Sequence, residues 1–127
     1  MDFALINWPA VGAGTIAAFV LGWLIYAPFA LGKGWAASTG IEMPGPGTKP
    51  PMFAMLAQLL ALFLLALIIG LTETAQALDA AILAILSAAA LVVANGAFSG
   101  KNRFAMSVDG LGIVGYGVVM IAAQGIL

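Results

Sequence analysis

The sequence predicts an all-α integral membrane protein whose four transmembrane helices form one antiparallel bundle over residues 1–127. Composition is the first reason, because 64% of the residues are hydrophobic and only 7% are charged, against about 25% charged in a soluble domain. The second is a mean hydropathy of +1.15, since a soluble chain of this size cannot bury so much apolar surface. The third is the spacing of the apolar stretches along the chain.

Four stretches, each uncharged in its interior, are long enough to cross a bilayer, which takes about 20 apolar residues in a helix. They cover residues 9–29, 52–71, 79–98 and 107–127. Asn7 can cap the first helix with Pro9 in its first turn, where a missing N–H costs little. Pro28 disfavours helical backbone at the residue before it and therefore predicts the end of this span.

The cations predict the orientation in the membrane. All four of them fall in the loops at residues 30–51 and 99–106. The positive-inside rule then predicts that these two loops are cytoplasmic and that both termini lie outside. The first cation, Lys33, follows an apolar stretch of about 20 residues, which favours a retained helix over a cleaved signal peptide.

The residue types present exclude several function classes. The chain contains no Cys and no His, so it has no thiol nucleophile, no imidazole base and none of the common transition-metal sites. We therefore expect no cofactor and no metal. A net charge of -1 with only four cations also argues against nucleic acid, whose binding needs a dense basic patch.

The stretch "DGLGIVGYG", residues 109–117, contains the pattern G-x-G-x-x-G. A dinucleotide site would need a strand before this pattern and an acid about 20 residues after it. Here a charged loop precedes the glycines and no acid follows them, so we expect no nucleotide to bind.

Glycines at helical spacing predict close contact between helices instead, because Gly lets two backbones approach each other in lipid. Gly110 and Gly117 lie seven residues apart on one face of the fourth helix, and Gly112 and Gly115 form a second strip beside it. The first span carries a complementary strip, Gly14–Ala18–Gly22. We expect the fourth helix to pack against this strip or against a second copy of the chain.

Asp109 admits two interpretations. With Ser107 as the N-cap, Asp109 falls in the first turn of the fourth helix, where a carboxylate is favoured by the helix dipole. In the alternative, Asp109 shares a face with Gly112 and Tyr116 and lines a polar vestibule together with Tyr26 or Asn95.

The remaining polar and aromatic residues suggest two structural roles, hydrogen bonding between helices and anchoring at the membrane interfaces. Gln58 and Asn95 lie inside spans, where side-chain amides usually form hydrogen bonds with a neighbouring helix. No acid or base lies in the middle of a span, which counts against a proton-coupled transporter. Three aromatic residues and one lysine are placed to anchor the chain at the membrane interfaces: Trp8, Tyr26, Trp35 and Lys33.

The first span and the loop after it carry a pattern of small, aromatic, proline and lysine positions: Phe19, Gly22, Tyr26, Pro28, Gly32, Lys33, Trp35 and Gly40. This pattern resembles the bacterial domain-of-unknown-function 1761 family of small four-span membrane proteins. It departs from the family at Ile25, where Trp is common, and at Leu31, where Phe is usual. The resemblance implies a four-helix protein of the bacterial inner membrane, and it implies no reaction and no catalytic residues.

These observations favour a non-enzymatic membrane module that packs with itself, with lipid or with another membrane protein. One alternative is a small oligomeric transporter or channel with a polar pathway through Gln58, Asn95 and Asp109. A second alternative is a membrane-embedded enzyme acting on lipid, with Asp109 and Tyr26 at the level of the headgroups.

Overall fold

Four long helices make up the described part of the fold. A computed structural model describes residues 1–27, 34, 37 and 52–127. In chain order the helices are α1 (Trp8–Ile25), α2 (Met52–Glu73), α3 (Leu78–Phe98) and α4 (Arg103–Ile126), preceded by a short 3₁₀ helix at Phe3–Leu5. All four are long and apolar enough to cross a membrane, and the described residues contain no strand. The predicted all-α, four-span bundle is confirmed.

The ends of two helices follow from side chains that satisfy their free backbone groups. Asn7 Oδ1 accepts from the N–H of Ala10 at 3.2 Å, which confirms the predicted cap of α1. Asn102 Oδ1 accepts from the N–H of Ala105 at 3.0 Å, so α4 begins at Arg103 rather than at residue 107. The helix starts earlier than predicted because Asn is among the preferred capping residues.

The bundle is organised around α1 and α4, which share the largest contact. α2 packs mainly on α1, and α3 packs mainly on α4. Buried side chains from all four helices form the core between them, among them Val11, Leu62, Ile85 and Met120.

The two ends of the bundle hold different parts of the chain. At one end the N–H of Asp2 donates to Thr74 Oγ1 at 3.1 Å, which ties the N-terminus to the connection between α2 and α3. The C-terminal part of α4 reaches the same end, where Gln124 lies against Gly70. The end of α1 and the connection between α3 and α4 lie at the opposite end, which holds the polar cluster described next.

Candidate functional site

A polar cluster at one end of the bundle joins α1, α4 and the turn between α3 and α4. Asp109 is 8% exposed and lies on the second turn of α4. Its Oδ1 accepts a hydrogen bond from the hydroxyl of Tyr26, and its Oδ2 lies 2.7 Å from Nζ of Lys101. Both carboxylate oxygens therefore have partners from other elements of the fold.

Lys101 reaches Asp109 because the turn before it has a defined geometry. Gly100 adopts a φ of +82°, a left-handed conformation that suits glycine. The N–H of Gly100 donates to the carbonyl of Ala97 at 3.2 Å, and the N–H of Lys101 donates to that of Gly96 at 2.9 Å. These two bonds form the Schellman motif that ends many helices. With Asn102 capping α4 immediately afterwards, the ammonium of Lys101 is held over the carboxylate.

This geometry corrects the capping interpretation of Asp109. Ser107 is not the N-cap of α4, because Asn102 fills that role. The Ser107 hydroxyl instead donates to the carbonyl of Arg103 inside the helix at 2.8 Å. Asp109 lies beyond the first turn of α4, which holds no acidic residue, so the dipole at the end of the helix contributes little to its placement.

The Tyr26 phenol is held protonated as a hydrogen-bond donor. Tyr26 follows the last residue of the first span. Its burial raises the pKa of the phenol well above its usual range, and the neighbouring Asp109 carboxylate is the second, smaller cause. Burial disfavours the phenolate, and a nearby negative charge disfavours it further. The hydroxyl therefore remains a donor to Asp109 across the physiological pH range.

Tyr116 extends the cluster toward the middle of the bundle. It is 3% exposed, and its hydroxyl lies beside Gly22 of α1, where a methyl group would approach it to 2.6 Å. Gly22 thus leaves room for the phenol of Tyr116. Gly22 and Tyr26 are one helical turn apart, so the end of α1 presents both positions to α4.

The three residues of the suggested polar pathway do not meet in the structure. Asp109 is buried, whereas Gln58 on α2 and Asn95 on α3 have exposed side chains. Of the two partners considered for Asp109, the structure brings Tyr26 to it and leaves Asn95 on the outside of the bundle.

The glycines of "DGLGIVGYG" face two different helices. A methyl group at Gly110 would lie 2.8 Å from Cγ2 of Val93, and one at Gly117 would overlap Ile85, both on α3. Gly115 faces α1 instead, where a methyl group would lie 3.4 Å from Cδ2 of Leu21. The strip of Gly110 and Gly117 thus packs on α3, and the strip beside it packs on α1.

The strip on α1 meets α4 along its length. A methyl group at Gly14 would lie 3.3 Å from the backbone Cα of Met120, so the two backbones approach closely at this point. Ala18 is fully buried in the same interface. Gly112 is looser, because a methyl group there would come no nearer than 3.9 Å to Tyr116 Oη.

Of the four suggested interfacial anchors, the structure describes two. Trp8 begins α1 and is 51% exposed. Tyr26 points into the bundle, where it binds Asp109. Lys33 and Trp35, together with Pro28, lie outside the described residues.

Lys101 is a site residue that the sequence pattern does not single out, since in the sequence Lys101 is only one of the loop cations. Gly100 and Asn102 were the signals for its position, because a glycine after one helix and an asparagine before the next define a short turn. Among the described residues, no group of three or more His, Cys, Asp or Glu is placed to hold a metal ion.

The family model described as "Protein of unknown function (DUF1761)" matches residues 9–127. No curated protein and no solved structure matches the chain. The match extends beyond the pattern of the first span to include Asp109, Tyr116 and Lys101. This protein, a membrane protein of four apolar helices, therefore belongs to the DUF1761 family.

Proposed function

We propose that this protein is a non-enzymatic module of the bacterial inner membrane. In this proposal both termini lie outside, and the bundle packs with lipid and with a second copy or another membrane protein. The polar cluster at the cytoplasmic end locks α1 and α4 together and handles no substrate.

The pairing of Asp109 carries this proposal. One of its oxygens accepts from Tyr26, and the other pairs with Lys101. A carboxylate that works as a proton relay or an ion ligand needs a lone pair that its substrate can reach, and Asp109 is only 8% exposed. Here the described partners already engage both oxygens, as expected of a group that stabilises the contact between helices.

The interior beyond the cluster supports the same conclusion. Two further buried polar side chains among the described residues, Thr15 and Thr72, donate to carbonyls of their own helices, those of Val11 at 2.8 Å and Ile69 at 2.9 Å. Buried side chains such as Met120 fill the space between them. A transport pathway would need polar groups facing one water-filled cavity. The core of the described bundle is instead mostly apolar, with Gln124 Oε1 as a buried polar atom that has no hydrogen-bond partner there.

The exposed amides support association with a partner. Gln58 and Asn95 lie on outer faces of α2 and α3. An amide that faces hydrocarbon without a hydrogen bond is costly, so amides in spans usually bond to another helix. A second copy or another membrane protein would supply that helix.

Flux measurements on reconstituted protein test the proposal. Vesicles containing the full chain should pass protons and monovalent cations no faster than protein-free vesicles, as read by an internal pH dye. The Asp109→Asn variant should behave identically in this assay and should unfold more easily in detergent. A flux that the chain produces and that Asp109→Asn abolishes would favour the transporter alternative.

The proposed orientation has its own test, which is clean because the chain contains no Cys. Cysteines introduced at Ala75, in the connection between α2 and α3, and at Ser99, at the end of α3, lie at opposite ends of the bundle. An impermeant thiol reagent added to intact cells should label Ala75→Cys and spare Ser99→Cys. The reverse pattern would place the termini in the cytoplasm.

A further inference from the structure

An open apolar groove runs along the outside of the bundle between α3 and α4. Its volume is about 590 Å³, and small residues of both helices line it, among them Ala90, Ala94 and Gly110, which together are called its floor. Gly110 brings the two helices close together at this floor, since a methyl group there would lie 2.8 Å from Val93. Leu111, 71% exposed, forms part of one wall.

The positively charged side chain of Arg103 lies at one end of this groove. Val93, Met106 and Ser107 line both the groove and an adjoining hollow of about 260 Å³, which Arg103 completes. Arg103 is exposed and forms no ion pair in the described part of the chain. Its guanidinium presents several donors in a planar arrangement that matches a phosphate.

The groove and the adjoining hollow together extend over about one leaflet of the bilayer. Arg103 is the first residue of α4, and Val114 lines the far part of the groove. At 1.5 Å per residue these positions are about 16 Å apart along the helix. Half of a hydrocarbon core about 30 Å thick is close to the same depth.

We propose that this groove binds an anionic phospholipid, with an acyl chain along the small-residue floor and the phosphate on Arg103. The inference rests on the proposed function, because it names one of the partners of the non-enzymatic module. A cation beside a groove between membrane helices is the arrangement that recognises anionic headgroups. The apolar floor supplies the contact with the chain, and Arg103 supplies the preference for negative charge.

The charge of Arg103 also disfavours a second copy as the occupant. Copies of the chain in one membrane share the same orientation. A two-fold contact through this face would therefore bring both copies of Arg103 to the same end of the interface. Like charges facing each other across an interface cost free energy, whereas a phosphate at the same place neutralises Arg103.

Native mass spectrometry of the full chain in detergent tests this inference. The protein is mixed with phosphatidylglycerol or with phosphatidylcholine of identical acyl chains, and the lipid retained is counted. We expect phosphatidylglycerol to be retained about fivefold more strongly, which is the contribution of one cation near an anionic headgroup. Arg103→Gln should abolish this preference, and Arg103→Lys should preserve part of it.

Two matched variants locate the acyl chain. Ala94→Phe fills the groove and should reduce the retention of both lipids, whereas Ala61→Phe makes the same change on an exposed position of α2 and should leave retention unchanged. Equal retention of the two lipids, or a preference that survives Arg103→Gln, would overturn the inference. A dimer that Ala94→Phe abolishes would assign the groove to a second copy.

The failure of this inference is distinguishable from the failure of the proposed function. If the protein retains both lipids equally and conducts no ions, only the inference of a lipid site fails, and the proposed function stands. Flux that depends on Asp109 would contradict the proposed function as a non-enzymatic module, whatever lipid is retained.

Discussion

The pair α1 and α4 differs from the pair α2 and α3 in how each helix meets its surroundings. In an apolar window of 18 residues taken from each helix, the bundle buries 33% of the window of α1 and 39% of that of α4. The corresponding shares are 17% for α2 and 22% for α3. Yet α2 has the highest mean hydropathy of the four. In a bilayer, hydropathy thus marks the helices that face lipid, and it does not mark the centre of the fold.

Small and polar residues mark the central pair instead. Gly14 and Ala18 on α1 and Gly117 and Asp109 on α4 lie in the contacts between helices. Lipid tails are as apolar as leucine, so burying a leucine between helices gains little, whereas close backbone approach and hydrogen bonds do hold helices together. Substitutions in the two pairs of helices should therefore have unequal effects.

The largest effect should follow Gly117→Leu. A side chain at Gly117 would overlap Ile85 of α3, and overpacking a close contact costs about 1–3 kcal/mol or more. We expect Gly117→Leu to lower the free energy of unfolding by about 3 kcal/mol or to prevent assembly, as measured by denaturant titration in mild detergent.

Val118→Leu is the matched control, since Val118 is the next residue of α4 and is 59% exposed. It should change the free energy of unfolding by less than about 0.5 kcal/mol. Equal effects of the two changes would contradict the packing of α4 against α3.

Asp109→Asn should have the next largest effect. It leaves the ammonium of Lys101 without its carboxylate, and unpairing a buried charge costs about 3–5 kcal/mol. Because the Lys101 side chain is 30% exposed, solvent screens part of this cost, and we expect about 2 kcal/mol. Tyr26→Phe should cost about 1 kcal/mol, the contribution of one hydrogen bond.

Asp79→Asn is the control for charge, because Asp79 is an exposed carboxylate on α3 at the other end of the bundle. Thermal unfolding in detergent should separate the variants, with Asp79→Asn close to the unchanged protein. A stable protein carrying Asp109→Asn would show that the cluster does not lock α1 to α4.

The fold could be predicted from the sequence because the bilayer imposes simple lengths. Both ends of α3, at Leu78 and Phe98, match the predicted window of 79–98. The start of α4 at Arg103 differs from the predicted residue 107 because apolar content does not mark where this helix begins. Charged and polar residues occupy the first turn after Asn102, and the capping side chain decides where that helix begins.

The polar cluster was predictable only in part. Tyr26 and Asp109 are 83 residues apart, so no local pattern connects them, and the sequence alone allows Asn95 as the other partner of Asp109. Which of the two meets Asp109 depends on the rotation of α1 and α3 about their axes. Uniformly apolar helices leave that rotation unspecified, and the glycine contacts set it in three dimensions.

A smaller pair of effects separates two glycines of α4. Gly110→Ala places a methyl group 2.8 Å from Val93, whereas Gly112→Ala meets nothing nearer than 3.9 Å. Replacing a helical glycine by alanine favours the helix by about 0.5–1 kcal/mol where space allows. We expect Gly112→Ala to raise the midpoint of thermal unfolding and Gly110→Ala to lower it. A rise for both would mean that α3 and α4 can move apart at little cost.

The smallest effect on the bundle itself should follow the removal of the exposed amides. Gln58→Met and Asn95→Leu replace amides that make no side-chain hydrogen bond in the described part of the chain. The free energy of unfolding in detergent should therefore change by less than about 0.5 kcal/mol. Association in vesicles should weaken about fivefold for each change, because a hydrogen bond from a side-chain amide to another helix contributes about 1 kcal/mol.

Energy transfer between labelled copies in vesicles measures that association. Leu60→Met, an apolar exchange on the exposed face of α2, serves as the control and should leave it unchanged. If instead the two amide variants unfold more easily in detergent while association is unaffected, the amides stabilise the bundle from within. The outer face formed by α2 and α3 would then be a lipid surface alone, and the partner would have to meet the protein elsewhere.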